Sequence, residues 1–218
     1  MTKPKVQSPW HQGLQVIAKA ADRPMLMLIH VFDGYAYATD SYRAFRVPSV
    51  EGWGVYELDG SPCVTPGIDN FGSKVAASYA KAETETTLTV SPVADGNQFL
   101  HRTPKAVADE LAAWAYYDGT RRKPSSFVEV AVKENLLTMT FGLQVEVSER
   151  TWALAATRPA AACPIDPPAA DQFIGRYNAA SLHDSWAGSV ILKWAGSMKP
   201  LLIDHDDRTQ ALIMPIRT

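Results

Sequence analysis

"YAYATDSYRAFRV", residues 35–47, begins as a strand and then breaks its own pattern. Tyr35, Tyr37 and Thr39 fall on one side and Ala36 and Ala38 on the other, the period-two spacing of extended backbone. Asp40, Ser41 and Arg43 interrupt it before Phe45 and Val47 resume. A core strand has no place for an acid, a hydroxyl and a guanidinium so close together, because each must be paired or hydrogen-bonded once it leaves water. Asp40 has a local use as the cap of a turn, and Arg43 as a tie to neighbouring strands.

Outward from this stretch, strands and short helices alternate. "MLMLIHVF" (25–32) is a short apolar run that reads as a buried strand, and Asp33-Gly34 is the hairpin signal joining it to the quoted stretch. A helix is expected over 12–21, stopped by "DRP" at 22–24, and a second over 68–81, where Phe71, Val75 and Tyr79 recur every four residues. The clearest helix signal covers 103–119, with Thr103 as N-cap, Pro104 in the first turn and Gly119 as stop. A short one is expected over 178–188, capped by Asn178. Further strands are expected over 53–58, 84–93, 126–133, 136–142, 143–149, 151–156, 171–177, 189–196, 199–205 and 209–218. The Pro/Ala-rich stretch 158–170 reads as an exposed crossing loop, because four prolines do not fit a central strand. The rhythm predicts an α+β protein of two domains, 1–102 and 103–218, each with two short helices on antiparallel sheets.

Composition narrows the function. The chain has 218 residues, 46% hydrophobic and 20% charged, and a net charge of -2. That charge argues against binding nucleic acid through bulk electrostatics. No apolar run reaches the roughly 20 residues of a membrane span, and "MTKPKVQSPW" lacks the apolar core of a signal peptide. Cys63 and Cys163 read as reduced thiols, so a cytoplasmic location is expected. Phosphate-loop, dinucleotide, zincin and nucleophile-elbow motifs are all missing, so neither an enzyme nor a cofactor is expected. Asp204, His205, Asp206 and Asp207 have the chemistry to hold a divalent ion for a hydrolase. The stronger reading of those four is a solvated hairpin loop between two apolar strands.

The last twenty residues, "KPLLIDHDDRTQALIMPIRT" (199–218), resemble the end of the bacterial replicative sliding clamp, the β subunit of the replicase. That family ends in a strand, a polar hairpin, a second strand and a terminal Met-Pro-Met-Arg or close variant; here the element is Met214, Pro215, Ile216, Arg217. "FIGRYNAASLHDSWAGSVILKWAGSMKPLLI" (173–203) is similar to the family's preceding strand, helix and strand. Ala38, Thr39, Asp40, Ser41, Tyr42, Arg43 resemble the Ala-Thr-Asp-Gly-His-Arg of its middle domain, and "RPMLMLIHVFDG" (23–34) the strand before it. Residues between 47 and 171 match in pattern only.

The resemblance implies the clamp fold, in a form with the family's middle and last domains. Six domains close such a ring, so it implies a homotrimer that encircles duplex DNA and tethers a polymerase and a clamp loader. It places the partner-peptide groove between the two domains. One wall would be Thr39, Ser41, Tyr42, Arg43 and Ala44, with Arg23 and Leu26 beside them. The other would be Met214, Pro215, Ile216 and Arg217, with Met198 and Pro200 nearby. Ser41 stands where a glycine is usual and Tyr42 where a histidine is usual, which implies a shifted peptide preference. The compact form hints at a phage or other mobile genome. Lys19, Lys74, Lys81 and Lys105, in or beside expected helices, are the candidate DNA-facing cations. The alternative is a monomeric clamp-like peptide-binding module that does not encircle DNA.

Overall fold

The computed structural model describes residues 10–65, 68, 70–92, 124–148, 151–185, 190–205 and 208–216. The helix expected over 103–119 lies outside them, as do Lys105, Asp206, Asp207 and Arg217. In chain order the elements are α1 (Gln12–Ala20), β1 (Ile29–Phe32), β2 (Tyr35–Thr39), β3 (Arg43–Pro48), β4 (Gly54–Tyr56), α2 (Gly72–Glu85) and β5 (Leu88–Pro92). After these come β6 (Pro124–Lys133), β7 (Leu136–Ser148), β8 (Thr151–Asp166), β9 (Gln172–Asn178), α3 (Ala179–Ser185), β10 (Val190–Trp194), β11 (Leu201–His205) and β12 (Gln210–Ile213). The α+β class expected from the sequence is the one observed.

The twelve strands hydrogen-bond in the order β4-β1-β2-β3-β12-β11-β10-β5-β8-β7-β6-β9, antiparallel throughout. This order resolves into three ladders of four. Each is a three-strand meander plus one strand from elsewhere in the chain: β1–β3 with β4, β10–β12 with β5, and β6–β8 with β9. The halves are joined where β12 pairs with β3, from Gln210 opposite Arg46 to Ile213 opposite Arg43. β5, expected to close the first half, pairs instead with β10 and β8 of the second. The sequence rhythm suggests four helix-plus-sheet units; the described residues hold three ladders.

Alternation then assigns the faces. On one face Leu14, Ile17 and Ala18 of α1 pack with Ala36, Ala38, Phe45, Ile203 and Ile213, in a core shared with β6, β7 and β9. On the opposite face Tyr79 and Ala82 of α2 pack with Tyr37, Ala44, Leu202 and Leu212. The smaller cluster lies beside the site.

Two expectations are corrected. Gly142 does not divide a pair of strands, and β7 runs unbroken through it. The Phe127 ring of β6 lies against this position, where a Cβ would approach its Cζ to 1.9 Å, so glycine makes room for the ring. Nor is 158–170 a loop, since its first part belongs to β8. Among the described residues β8 pairs with β7 along its length and with β5 only at Ile165 and Asp166. Proline, which has no N–H to give, is tolerated on such an edge or at a bulge. Pro159 sits opposite Thr140 at a break in register, and Pro164 opposite Leu136 at the strand's end.

Candidate functional site

The quoted stretch is two strands and a tight turn. β2 ends at Thr39 and β3 begins at Arg43. The Asp40 carboxylate makes the turn: Oδ1 accepts from the backbone N–H groups of Tyr42 and Arg43, each at 3.0 Å, and Oδ2 takes the Arg43 Nε at 2.9 Å. Thr39 Oγ1 donates to the Arg43 carbonyl at 2.8 Å and accepts from Ser41 N–H at 3.2 Å. Ser41 has φ 77°, a left-handed conformation that glycine adopts without cost. The polar interruption is thus a self-satisfied turn. It leaves Tyr42 exposed and Arg43 buried against its carboxylate.

The end of the chain is laced to this turn. Met214 N–H donates to the Tyr42 carbonyl and Ile216 N–H to the Arg176 carbonyl, both at 2.8 Å. Residues 214–216 therefore bridge the β2–β3 turn and β9, with a cleft on either side. The first, of about 240 Å³, has an apolar floor of Ala44, Val75, Leu212 and Met214. Its polar margin is Thr39, Ser41, Arg43, Lys74 and Ser78. The second, of about 230 Å³, is lined by Phe173, Gly175, Arg176, Met198, Pro215 and Ile216. Met198 and Met214 are each about half exposed, so flexible thioethers stand at both mouths.

The structure thus brings Thr39, Ser41, Arg43, Ala44 and Met214 together, and separately Met198, Pro215 and Ile216. Tyr42 reaches the site through its backbone. Arg23, Leu26 and Pro200 line neither cleft. Arg23 is exposed at the head of a 3-10 turn, Pro24–Leu26, and Leu26 is buried beneath it.

Sequence reasoning missed the third wall, α2. Nothing in its amphipathic pattern says which sheet face it covers. Its start is held by Asn70, whose side chain donates to the Val31 and Gly54 carbonyls and accepts from Gly72 N–H at 2.7 Å. Buried His30 adds a second tie. Its Nδ1 accepts from Phe71 N–H at 3.1 Å, which leaves the proton on Nε2 to donate to the Met25 carbonyl at 2.8 Å. Burial pushes the His30 pKa below its ordinary value, so the ring is neutral. Further along, the Arg46 guanidinium stacks on Tyr35 and Tyr79 and pairs with Glu83 at 3.0 Å. Tyr79 Oη donates to the Gln210 carbonyl.

The three expected DNA-facing lysines among the described residues do not share a face. Lys19 is exposed on α1, whereas Lys74 and Lys81 are exposed on α2 across the sheet. Lys81 is also engaged by Glu85 at 3.9 Å. As for metal binding, no cluster of three His, Cys, Asp or Glu suited to an ion occurs among the described residues. Asp204 is held by Lys193 at 2.5 Å and by the Gln210 amide at 2.6 Å, as suits a structural hairpin residue. Both cysteines are free thiols, and burial pushes Cys163 up to about 11. No described helix is long and apolar enough to cross a membrane.

No family model matches the sequence, and no curated protein matches it. Solved structures do match the fold. The β sliding clamp of Caulobacter crescentus aligns at TM-score 0.52 and 16% identity, over 94% of this chain and 62% of that one. The DNA polymerase sliding clamp of Pseudomonas aeruginosa aligns at 0.54 and 13%, over 94% and 63%. A Helicobacter pylori β clamp bound to a DNA ligase peptide aligns at 0.51 and 12%, over 94% and 62%. The chain thus spans less than two thirds of the length of the clamps it matches. At such identity the likeness speaks for architecture alone, and on that ground the chain has the α+β fold of the bacterial DNA polymerase sliding clamps.

Proposed function

We propose that this protein is a non-enzymatic sliding clamp that closes into a ring around duplex DNA and tethers a polymerase and its loader through short peptides. The observation that supports this reading is the pair of clefts flanking residues 214–216, which are lined by eight of the thirteen groove residues named by the resemblance. Aliphatic floor, methionine lip and polar margin are what an anchored peptide needs. Association with DNA is topological, so a net charge of -2 is no obstacle. The two domains 1–102 and 103–218 are part of the proposal, with the β3–β12, β5–β10 and β5–β8 pairings crossing between them. So is a cytoplasmic place of action at the replication site.

A second reading is the monomeric peptide-binding module, since the two clefts could hold a peptide without a ring.

Titration of a labelled short peptide with an aliphatic anchor tests the groove. Met214→Ala should weaken binding by at least about tenfold, because truncating an anchor at an interface hot spot costs about 2 kcal/mol. Solution mass should be unchanged, because Met214 lies between the halves of one chain. Unchanged affinity together with a collapse in mass would make the C-terminal segment an assembly element.

A further inference from the structure

Resting on the groove reading above, we infer that Met198 and Met214 are reversible oxidation sites: a hydroperoxide converts their thioethers to sulfoxides, and the two clefts release their peptide until a reductase restores the sulfur. Among the described residues Met139 is 3% exposed and Met25 is half-buried, whereas Met27, Met198 and Met214 are 45%, 53% and 45% exposed. Two of these three exposed methionines line the clefts, Met214 the first and Met198 the second, and Met27 lines neither. Cys163 is no competitor, because burial pushes its thiol up to about 11 and the thiolate is the form that reacts.

Both methionines are held where an oxidant meets them. The Met214 N–H donates to the Tyr42 carbonyl and the Ile216 N–H to the Arg176 carbonyl, each at 2.8 Å, so the segment that carries Met214 is tied at two points. Met198 has φ 67°, a left-handed conformation that glycine takes without cost. Its turn is closed by the Lys199 N–H donating to the Gly196 carbonyl at 3.0 Å and by the Lys199 ammonium on Glu85 of α2 at 3.1 Å. A thioether kept at a position that suits glycine points to a use for the side chain.

The oxidation needs only the peroxide. A sulfur lone pair attacks one peroxide oxygen, the S–O bond forms as the O–O bond breaks, the sulfur loses two electrons, and hydrogen peroxide leaves as water. Reduction consumes two thiols, which become a disulfide, and the sulfoxide oxygen leaves as water. The sulfoxide is polar where the thioether was apolar. Its neighbours are apolar: Ala44, Val75 and Leu212 in the first cleft, Phe173, Pro215 and Ile216 in the second. An aliphatic anchor seated there would strip water from the new oxygen without replacing its hydrogen bonds, which is costly. The oxidised cleft therefore favours water over the peptide.

The test treats the full chain with hydrogen peroxide, follows each methionine by mass spectrometry, and reads binding of fluorescein-Ser-Gly-Leu-Leu-Gly-amide by anisotropy. Dithiothreitol, which reverses cysteine oxidation and leaves sulfoxides in place, is added before binding is measured. The oxidised-to-reduced ratio of Kd is compared within each variant, so the effect of a substitution on the starting affinity cancels. In wild type, Met198 and Met214 should oxidise before Met139, and Kd should rise at least about tenfold, the loss expected when an interface loses one apolar anchor. A methionine sulfoxide reductase supplied with dithiothreitol should restore the affinity. Met27→Leu should keep the full rise, and Met198→Leu combined with Met214→Leu should abolish it. Should the doubly substituted chain bind no peptide, the two single variants decide, each keeping only part of the rise; the full rise in both overturns the inference. If the reduced protein binds but Kd is unchanged with both sulfoxides formed, or the rise persists in the double variant, or the reductase does not reverse it, the oxidation inference is overturned while the groove stands. If reduced wild type binds no peptide, the groove reading is overturned and this inference with it.

Discussion

Ser41 holds a left-handed backbone conformation at the site. At φ 77° a side chain costs roughly 1–2 kcal/mol relative to the right-handed region, and glycine avoids that cost. Ser41→Gly should therefore raise stability by about 1 kcal/mol, with part of the gain offset by the freer unfolded chain. In a chain of this size that is a rise in melting temperature of about 2–4 °C, read by calorimetry or circular dichroism. A fall instead would mean that the hydroxyl makes a contact outweighing the strain. Asp40 is the opposite case. It satisfies two backbone donors and a guanidinium at once, so the turn depends on its carboxylate.

At the scale of elements, α2 decides the shape of the first cleft, and His30 is one of its ties. The ring is buried and neutral, and its Nδ1 can accept from Phe71 only while unprotonated. Its folded-state pKa is lowered, so the folded protein binds fewer protons than the unfolded chain. The sign follows: the His30 contribution is fully present above the ordinary histidine value of 6.5 and is lost as pH falls below it, toward the lower folded-state value. Urea midpoints measured from pH 7.5 downward should fall below about pH 6.5, by no more than about 1.4 kcal/mol per pH unit from this group. His30→Gln should lower stability at neutral pH and flatten that slope. An unchanged slope in the variant would assign the acid sensitivity elsewhere.

Assembly is decided at the scale of the whole molecule. The resemblance gives a six-domain ring, which three copies of a two-domain 23.9 kDa chain close at about 72 kDa. Light scattering at micromolar concentration should show this assembled species. A monomer of 23.9 kDa would remove the ring and leave the peptide-binding module. The lysines bear on the same question: with Lys19 and Lys74 across the sheet from each other, charge reversal at the two sites should not act alike on DNA association.

The sequence by itself determined the local elements and the chemistry of the site. Period-two alternation placed β2, apolar runs bounded by turn signals placed β1, β6 and β9–β12, apolar positions placed α1, four-residue spacing placed α2, and Asn178 capped α3 through Ser181 N–H at 3.0 Å. Asp40, Ser41 and Arg43 were legible as polar residues inside an apolar alternation, and Met214–Ile216 through the likeness of the chain's end to the clamp family's terminal motif. Tertiary structure alone decided which strands neighbour one another and which face each helix covers, because alternation states that a strand has two faces without naming what packs on either. So β5 left the half it was expected to close, α2 crossed to the face opposite α1, and Lys74 moved from an expected DNA surface to the rim of a cleft. Pro159 was misread for the same reason: proline is excluded from a paired position, and only the sheet order shows that β8 is open along most of one side among the described residues.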